Sequence, residues 1–380
     1  MSKIKTVLVV VIGLVALIGI WYGVNQQNQK ADQTKVIKIG ALYGLSGDYA
    51  EYSKGIGKGI EYAVKDFQGE HLDTKIELVI EDDKSCDKVA GVTGIQKLIN
   101  IDGVKAVTGV LCSGSVIVTA PIAEQNKILF MSGSASTKEI SALGDYVFRT
   151  YPSDQQRIKK IADLIKERNY QKVDFVYELE SDAALTGTTD MINYLGDSVS
   201  TKSYKISAKD MDFGTIIAQM KQDNPDVVVF ALMNANQIAI LAKQIQEMGL
   251  QVPLFTPYET VQDNKVIDFF GKTELIYAIF TPDETNSQYI ELKSRYRNDT
   301  GATEAEVPQY LAENYDGTMI VLQALYEAKG DTKKAQKLMY QIGNNYQGKS
   351  GTITFDANGD ISKMPALMTI KDGKFVKYEK

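Results

Sequence analysis

From residue 36 onward the sequence predicts an α/β protein built as two doubly wound parallel-sheet lobes, preceded by one N-terminal membrane or signal segment. Three observations carry this. Short apolar runs alternate with longer amphipathic ones. Six or more such units follow one another, and 380 residues suffice for two or three domains that each bury a core. A single uncharged stretch near the start stands apart from all of this.

That stretch is VLVVVIGLVALIGIWYGV, residues 7–24, which follows Lys3 and Lys5. As a helix it spans roughly 27 Å, close to a bilayer's hydrocarbon core. Trp21 and Tyr22 stand where an interfacial aromatic belt would be, and the lysines keep the N-terminus cytoplasmic. Everything after residue 30 is then exported. A cleaved signal peptide is the rival reading, but Ile20 to Asn25 fits the small-residue cleavage pattern poorly. No Cys follows to accept a lipid. Residues 31–35 complete a polar tether.

The first lobe opens with a strand at Val36–Leu42, the loop YGLSGDYAEYS (43–53) and a helix at Gly55–Phe67. A second strand at Lys75–Ile80 ends in Glu81-Asp82-Asp83, with Cys86 and a helix at Asp87–Ile99 behind it. The third strand, Lys105–Val110, breaks off in Leu111-Cys112-Ser113-Gly114-Ser115, and the fourth, Ile128–Met131, in Ser132-Gly133-Ser134-Ala135-Ser136-Thr137. Pro121 would kink the helix that begins near Ser113. The second lobe alternates in the same way. Its strands are Val173–Tyr177, Val199–Ile206, Asp226–Leu232 and Val252–Phe255, and its helices are Gln155–Arg168, Gly214–Gln222 and Ala235–Met248. Helical patterns then run from Ser287 to Gly343, and the tail reads as strands joined by turns at Asn358-Gly359 and Asp372-Gly373.

Composition excludes several chemistries. A formal charge of -6 without a basic block disfavours nucleic acid as a partner. The one histidine, His71, lies in the polar stretch QGEHLDTK and reads as a solvated loop residue, so neither a Ser-His-Asp triad nor a His-rich metal site has its parts. Ser113 is not in a G-x-S-x-G elbow, because Leu111 holds the first glycine's place. No catalytic residue, metal or cofactor is implied. Cys86 and Cys112 are too few and too far apart for a thiolate cluster. In an exported chain they read first as one disulfide, worth roughly 3 to 4 kcal/mol; two separate buried thiols are the alternative.

Three strand-ending loops rich in Ser, Gly and Thr converge on one sheet edge, where helix N-termini present unpaired N–H groups and a positive dipole end. Without a base beside Ser113, they suit binding of a carboxylate rather than chemistry on it.

These stretches, in order, make the chain resemble the type I periplasmic solute-binding proteins of ABC transporters, in the leucine/isoleucine/valine-binding branch. The likeness rests on IKIGALYGLSGDYAEYSKGIGKGIEYAV, ELVIEDDKSCDKVAGVTGIQKLI, GVKAVTGVLCSGS, ILFMSGSASTKEIS, YVFRTYPSD, ENYDGTMIVLQAL and the FDANGD tail. It implies two lobes joined by a three-strand hinge with crossings near Tyr151, Thr281 and Asn345. One lobe would hold 36–150 plus about 282–344, the other 151–281 plus about 345–380. It also implies a bond between Cys86 and Cys112. The ligand carboxylate would be held by Ser113 and by the loop of Ser134, Ala135 and Ser136, with Leu111, Cys112 and Tyr52 of the first loop also among the ligand-binding residues. Glu259 matches the acid that pairs with a ligand ammonium. The second lobe departs from the pattern, with SDAALTGTT (181–189) and Met233-Asn234-Ala235-Asn236 where aromatics are common. Tyr258 could supply the missing wall. The function implied is capture of an amino acid or similar small carboxylate solute outside the cytoplasmic membrane and delivery to the membrane subunits of an ABC transporter. A ligand-sensing receptor ectodomain and an exported α/β hydrolase are the rivals.

Overall fold

The computed structural model describes residues 35–47, 49–263, 266–267, 273–280 and 283–379. The apolar run at 7–24 lies outside them, and no helix among the described residues is long and apolar enough to cross a membrane.

The first lobe is a five-stranded parallel sheet ordered β2-β1-β3-β4-β5. Its strands are β1 (Lys35–Tyr43), β2 (Thr74–Asp82), β3 (Ala106–Thr108), β4 (Leu129–Ser132) and β5 (Val147–Arg149). The last three are buried along their whole length, as parallel strands covered by helices on both faces must be. Helices α1 (Ala50–Glu70), α2 (Lys88–Asn100) and α3 (Ser113–Gln125) make the crossovers. Helix α1 starts five residues before the position expected from sequence, and α3 carries Pro121 inside it without ending there.

The second lobe begins with α4 (Gln155–Glu167), then β6 (Lys172–Glu178), α5 (Asp182–Leu195), β7 (Ser200–Ile206), α6 (Gly214–Asp223), β8 (Val227–Ala231), α7 (Ala235–Glu247), β9 (Leu254–Thr256) and β10 (Leu275–Ile279). The chain returns to the first lobe for α8 (Ser287–Thr300), α9 (Leu311–Glu327), α10 (Thr332–Ile342) and the small β11 (Tyr346–Gln347) and β12 (Thr352–Ile353) pair. It ends in the second lobe, where β13 (Ala366–Lys371) and β14 (Lys374–Lys377) extend the sheet antiparallel at its edge, giving β14-β13-β10-β9-β8-β6-β7.

Strand order reverses between β1 and β3 in one sheet and between β6 and β8 in the other. Crevices open at such points beyond the carboxyl ends of the strands, so each lobe offers one, and the two face each other.

The third crossing corrects the expectation of Asn345. Ile353, Phe355 and Ile361 remain in the first lobe's core. Arg149, fully buried, grips Asp360 with two parallel bonds of 2.7 and 2.8 Å, and the Arg149 N–H donates to the Gly359 carbonyl at 3.0 Å. The Asn358-Gly359 turn is therefore a dock against β5 rather than a strand connection, and the chain crosses at 362–365. The Asp372-Gly373 turn does join strands, with both residues at the positive φ values (51° and 69°) that a two-residue hairpin needs.

His71 also differs from its expected setting. Its ring is half-buried between Phe67 and Tyr326, with centroids 4.2 and 4.3 Å away.

Candidate ligand-binding cleft

A cavity of about 220 Å³ lies between the lobes. Every residue singled out for binding lines it: Tyr52 from α1, Leu111, Cys112 and Ser113 after β3, Ser134, Ala135 and Ser136 after β4, and Tyr258 and Glu259 after β9. Cys86 and Cys112 are joined by a disulfide, with Cα atoms 5.6 Å apart. It ties the β2 and β3 loops together at the cavity rim.

Helix α3 opens on the cavity without a side-chain cap at Cys112, so its first N–H groups are left for a ligand. The Ser113 hydroxyl accepts from the backbone N–H of Ser136 at 3.2 Å and of Thr137 at 3.3 Å. Both lone pairs are thereby used, and the proton remains to be donated. The neighbouring loop is less available than its sequence suggests. Ser134 donates to the carbonyls of Val110 and Leu111, and Ser136 donates to Asp154 at 2.7 Å. These two hydroxyls shape the loop rather than point a proton into the cavity.

Glu259 carries the largest departure. Its Oε2 is ion-paired with Arg157, and its Oε1 accepts from Tyr151 at 2.6 Å and Tyr310 at 3.2 Å. A carboxylate has about four acceptor sites, so one is left. Arg157 is 2% exposed, and its Nε also donates to Asp154 at 3.1 Å. Its guanidinium carbon lies 5.1 to 5.6 Å from the ring centres of Phe280, Tyr258 and Tyr151. Burial works against its charge, but the Asp154 carboxylate more than compensates and raises its pKa. Tyr258 serves as part of this cage, and its hydroxyl donates to the Ala183 carbonyl at 2.6 Å.

Sequence reasoning missed Arg157, Glu178 and Tyr310, all on the cavity wall. Arg157 had a signal: it falls in register with the buried Ile161, Leu164 and Ile165 on the apolar face of α4. Tyr310 holds φ at 63° just before α9, a left-handed position uncommon for an aromatic residue, and only the structure shows that. Glu178 ends β6, 3% exposed, and burial, reinforced by the charge of Glu180, pushes its carboxyl pKa up.

The lobes touch across the cleft. Lys88 meets Asp182 at 2.7 Å, Lys138 pairs with Asp190, and Tyr310 reaches Glu259. This is a closed arrangement, and a Cβ on Gly114 would come within 2.4 Å of the Asp182 carboxylate. Among the described residues no group of His, Cys, Asp and Glu is placed to hold a metal.

A family model described as periplasmic binding protein matches residues 36–374. The Leu/Ile/Val-binding protein of Escherichia coli K12 is 25% identical over 351 residues, covering 87% of this chain and 89% of its own. The Leu/Ile/Val/Thr-binding protein of Salmonella typhimurium LT2 is 28% identical over 350 residues, with 87% and 89% covered. Among solved structures, the leucine-binding protein LivK of Thermotoga maritima superposes with a TM-score of 0.78 at 21% identity, covering 90% of this chain and 98% of its own. A solute-binding protein of R. palustris in complex with 4-hydroxybenzoate gives 0.75 at 17% identity, with 91% and 96% covered.

Proposed function

This chain belongs to the periplasmic binding protein family, whose fold and relatives are those of substrate-binding proteins rather than enzymes, and from that premise we propose that it captures an amino acid between its closing lobes. In this reading it works outside the cytoplasmic membrane, held there through residues 7–24, and delivers the solute to the membrane subunits of an ABC transporter. The observation that carries the proposal is the uncapped N-terminus of α3 beside a Ser113 hydroxyl with a proton to give, facing a cavity enclosed by both lobes. The names of the relatives, which bind Leu, Ile and Val, support an α-amino acid as the solute.

Capture proceeds without bond making. The carboxylate docks on the first lobe at the α3 N–H groups and the Ser113 hydroxyl, and closure brings the second lobe's carboxylates to the ligand's cationic end. The ligand contacts both lobes only when they are together, so binding shifts the population toward the closed form. The bridges across the cleft cannot do this alone, since partly exposed ion pairs contribute about 0 to 1 kcal/mol each.

A thermal-shift titration of the full-length protein against the common amino acids and benzoates tests the proposal. At least one amino acid is expected to raise Tm by mass action. The Ser113→Ala variant should then bind it roughly 10-fold or more weakly, as loss of a hydrogen bond to a charged group implies. A panel without any shift, or an unchanged affinity in Ser113→Ala, sinks it.

A further inference from the structure

The wall of the cleft contributed by the second lobe holds a buried carboxylate with no cation against it among the described residues. Glu178 sits at the end of β6, and Met233 follows β8, so the two stand at the point where strand order reverses in that sheet. Glu178 is 3% exposed. Its Oε2 accepts a long bond of 3.3 Å from the Met233 N–H, and its Oε1 has no donor among the described residues. The other charged groups on the wall are already matched or wet. Lys88 serves Asp182, Arg157 serves Glu259 and Asp154, and Glu180 accepts from Ser207 and Ala208 at the exposed rim. A bare carboxylate in a closed cleft is costly, and it is tolerated where an arriving group completes it.

From this the geometry points to a cationic side chain on the ligand, received by Glu178, so that the solute is a basic amino acid such as lysine, ornithine or arginine rather than a branched aliphatic one. The inference rests on the amino-acid-capture reading above and narrows it. Two carboxylates on the second lobe keep acceptor capacity: Glu259 has one site left for an α-ammonium, and Glu178 has most of its own. A zwitterion with an aliphatic tail supplies one cationic group, and a basic amino acid supplies two. Charge agrees, because Glu178, Glu180, Asp182 and Glu259 outnumber Lys88 and Arg157 on the wall. Met233 and Tyr258 give the methylene stem an apolar surface while the charged head goes to the carboxylate.

The test compares lysine, ornithine and arginine with leucine, isoleucine, valine and norleucine, which keeps the lysine stem without its ammonium. Titrations use the full-length parent, Glu178→Gln and Ser113→Ala. The expected result is that basic amino acids bind the parent roughly 30-fold or more tightly than norleucine, and that Glu178→Gln removes the difference. If leucine, isoleucine or valine binds more tightly than every basic amino acid, or if basic amino acids bind Glu178→Gln as well as the parent, the inference is overturned while amino-acid capture stands. If no amino acid binds the parent, the capture reading fails and this one with it. The norleucine comparison needs no variant, so it decides the matter even if Glu178→Gln does not fold.

Discussion

Arg157 decides how the cleft reads at the scale of single residues. Sequence placed Glu259 at the site and gave it a ligand's ammonium; the structure gives one of its oxygens to a buried guanidinium and the other to the Tyr151 and Tyr310 hydroxyls. A charge of this kind is held in place by its partners. Replacing Arg157 by Met leaves Asp154 and Glu259 buried without a counter-ion, and breaking such a network costs on the order of 3–5 kcal/mol. Denaturant unfolding of Arg157→Met should therefore show a midpoint well below the parent's with an unchanged slope. A double variant that adds Glu259→Gln should regain part of the loss, and a single variant as stable as the parent would show that the pair contributes nothing. Ser113, by contrast, stood out in the sequence, although a hydroxyl at a strand end beside a helix start can cap the helix as readily as meet a ligand; the structure shows no side-chain cap on α3 and leaves Ser113 with a proton to give.

Among elements, those legible in the sequence owe their pattern to local physics. The buried runs of β3 and β8 and the amphipathic α4 were clear because parallel strands are apolar on both faces and helices only on one. The third crossing was not, because nothing local separates a short strand that stays on its lobe from one that leaves. What keeps β12 and the stretch that follows it through Asp360 at home is Arg149, some two hundred residues away in sequence. The loop after β2 is another such case. Lys84, Ser85 and Cys86 all have positive φ, at 52°, 59° and 75°, a run that costs free energy in the absence of glycine. The Asp82 and Asp83 carboxylates and the bond from Cys86 to Cys112 oppose it. Replacing both cysteines by serine should lower stability by roughly 3 kcal/mol. It should also weaken ligand binding, because the freed loop forms the cavity rim; calorimetric unfolding and titration of the double variant check the two effects separately.

Across the whole molecule, a set of ionisable groups is buried around the crossings between the lobes. Thr150, in the first crossing, donates to the Glu313 carbonyl at 2.7 Å, and Lys363, in the third, donates to the Ser350 carbonyl at 3.1 Å. Burial pushes the Glu313 carboxyl up from 4.5 to about 7, with Lys363 opposing. Burial likewise pushes Asp316 up from 3.8 to about 6, with bonds from Ser350 opposing. Asp283 and Glu284 face the same space, and the pKa of Lys363 is itself pushed down by burial. Between about pH 4 and 7 the folded hinge thus holds protons that the unfolded chain has released. Stability from these groups is complete below the unfolded values and is lost as pH rises through the folded ones. For Glu313 alone the difference is on the order of 3 kcal/mol, or about 4 °C in Tm for a chain of this size. Melting curves at pH 8, 6.5 and 5 should accordingly show the parent gaining on Glu313→Gln as the pH falls. Parallel curves for the two proteins would mean that this carboxyl is ionised in the fold from pH 5 to 8, as in the unfolded chain, and that the hinge is solvated rather than dry.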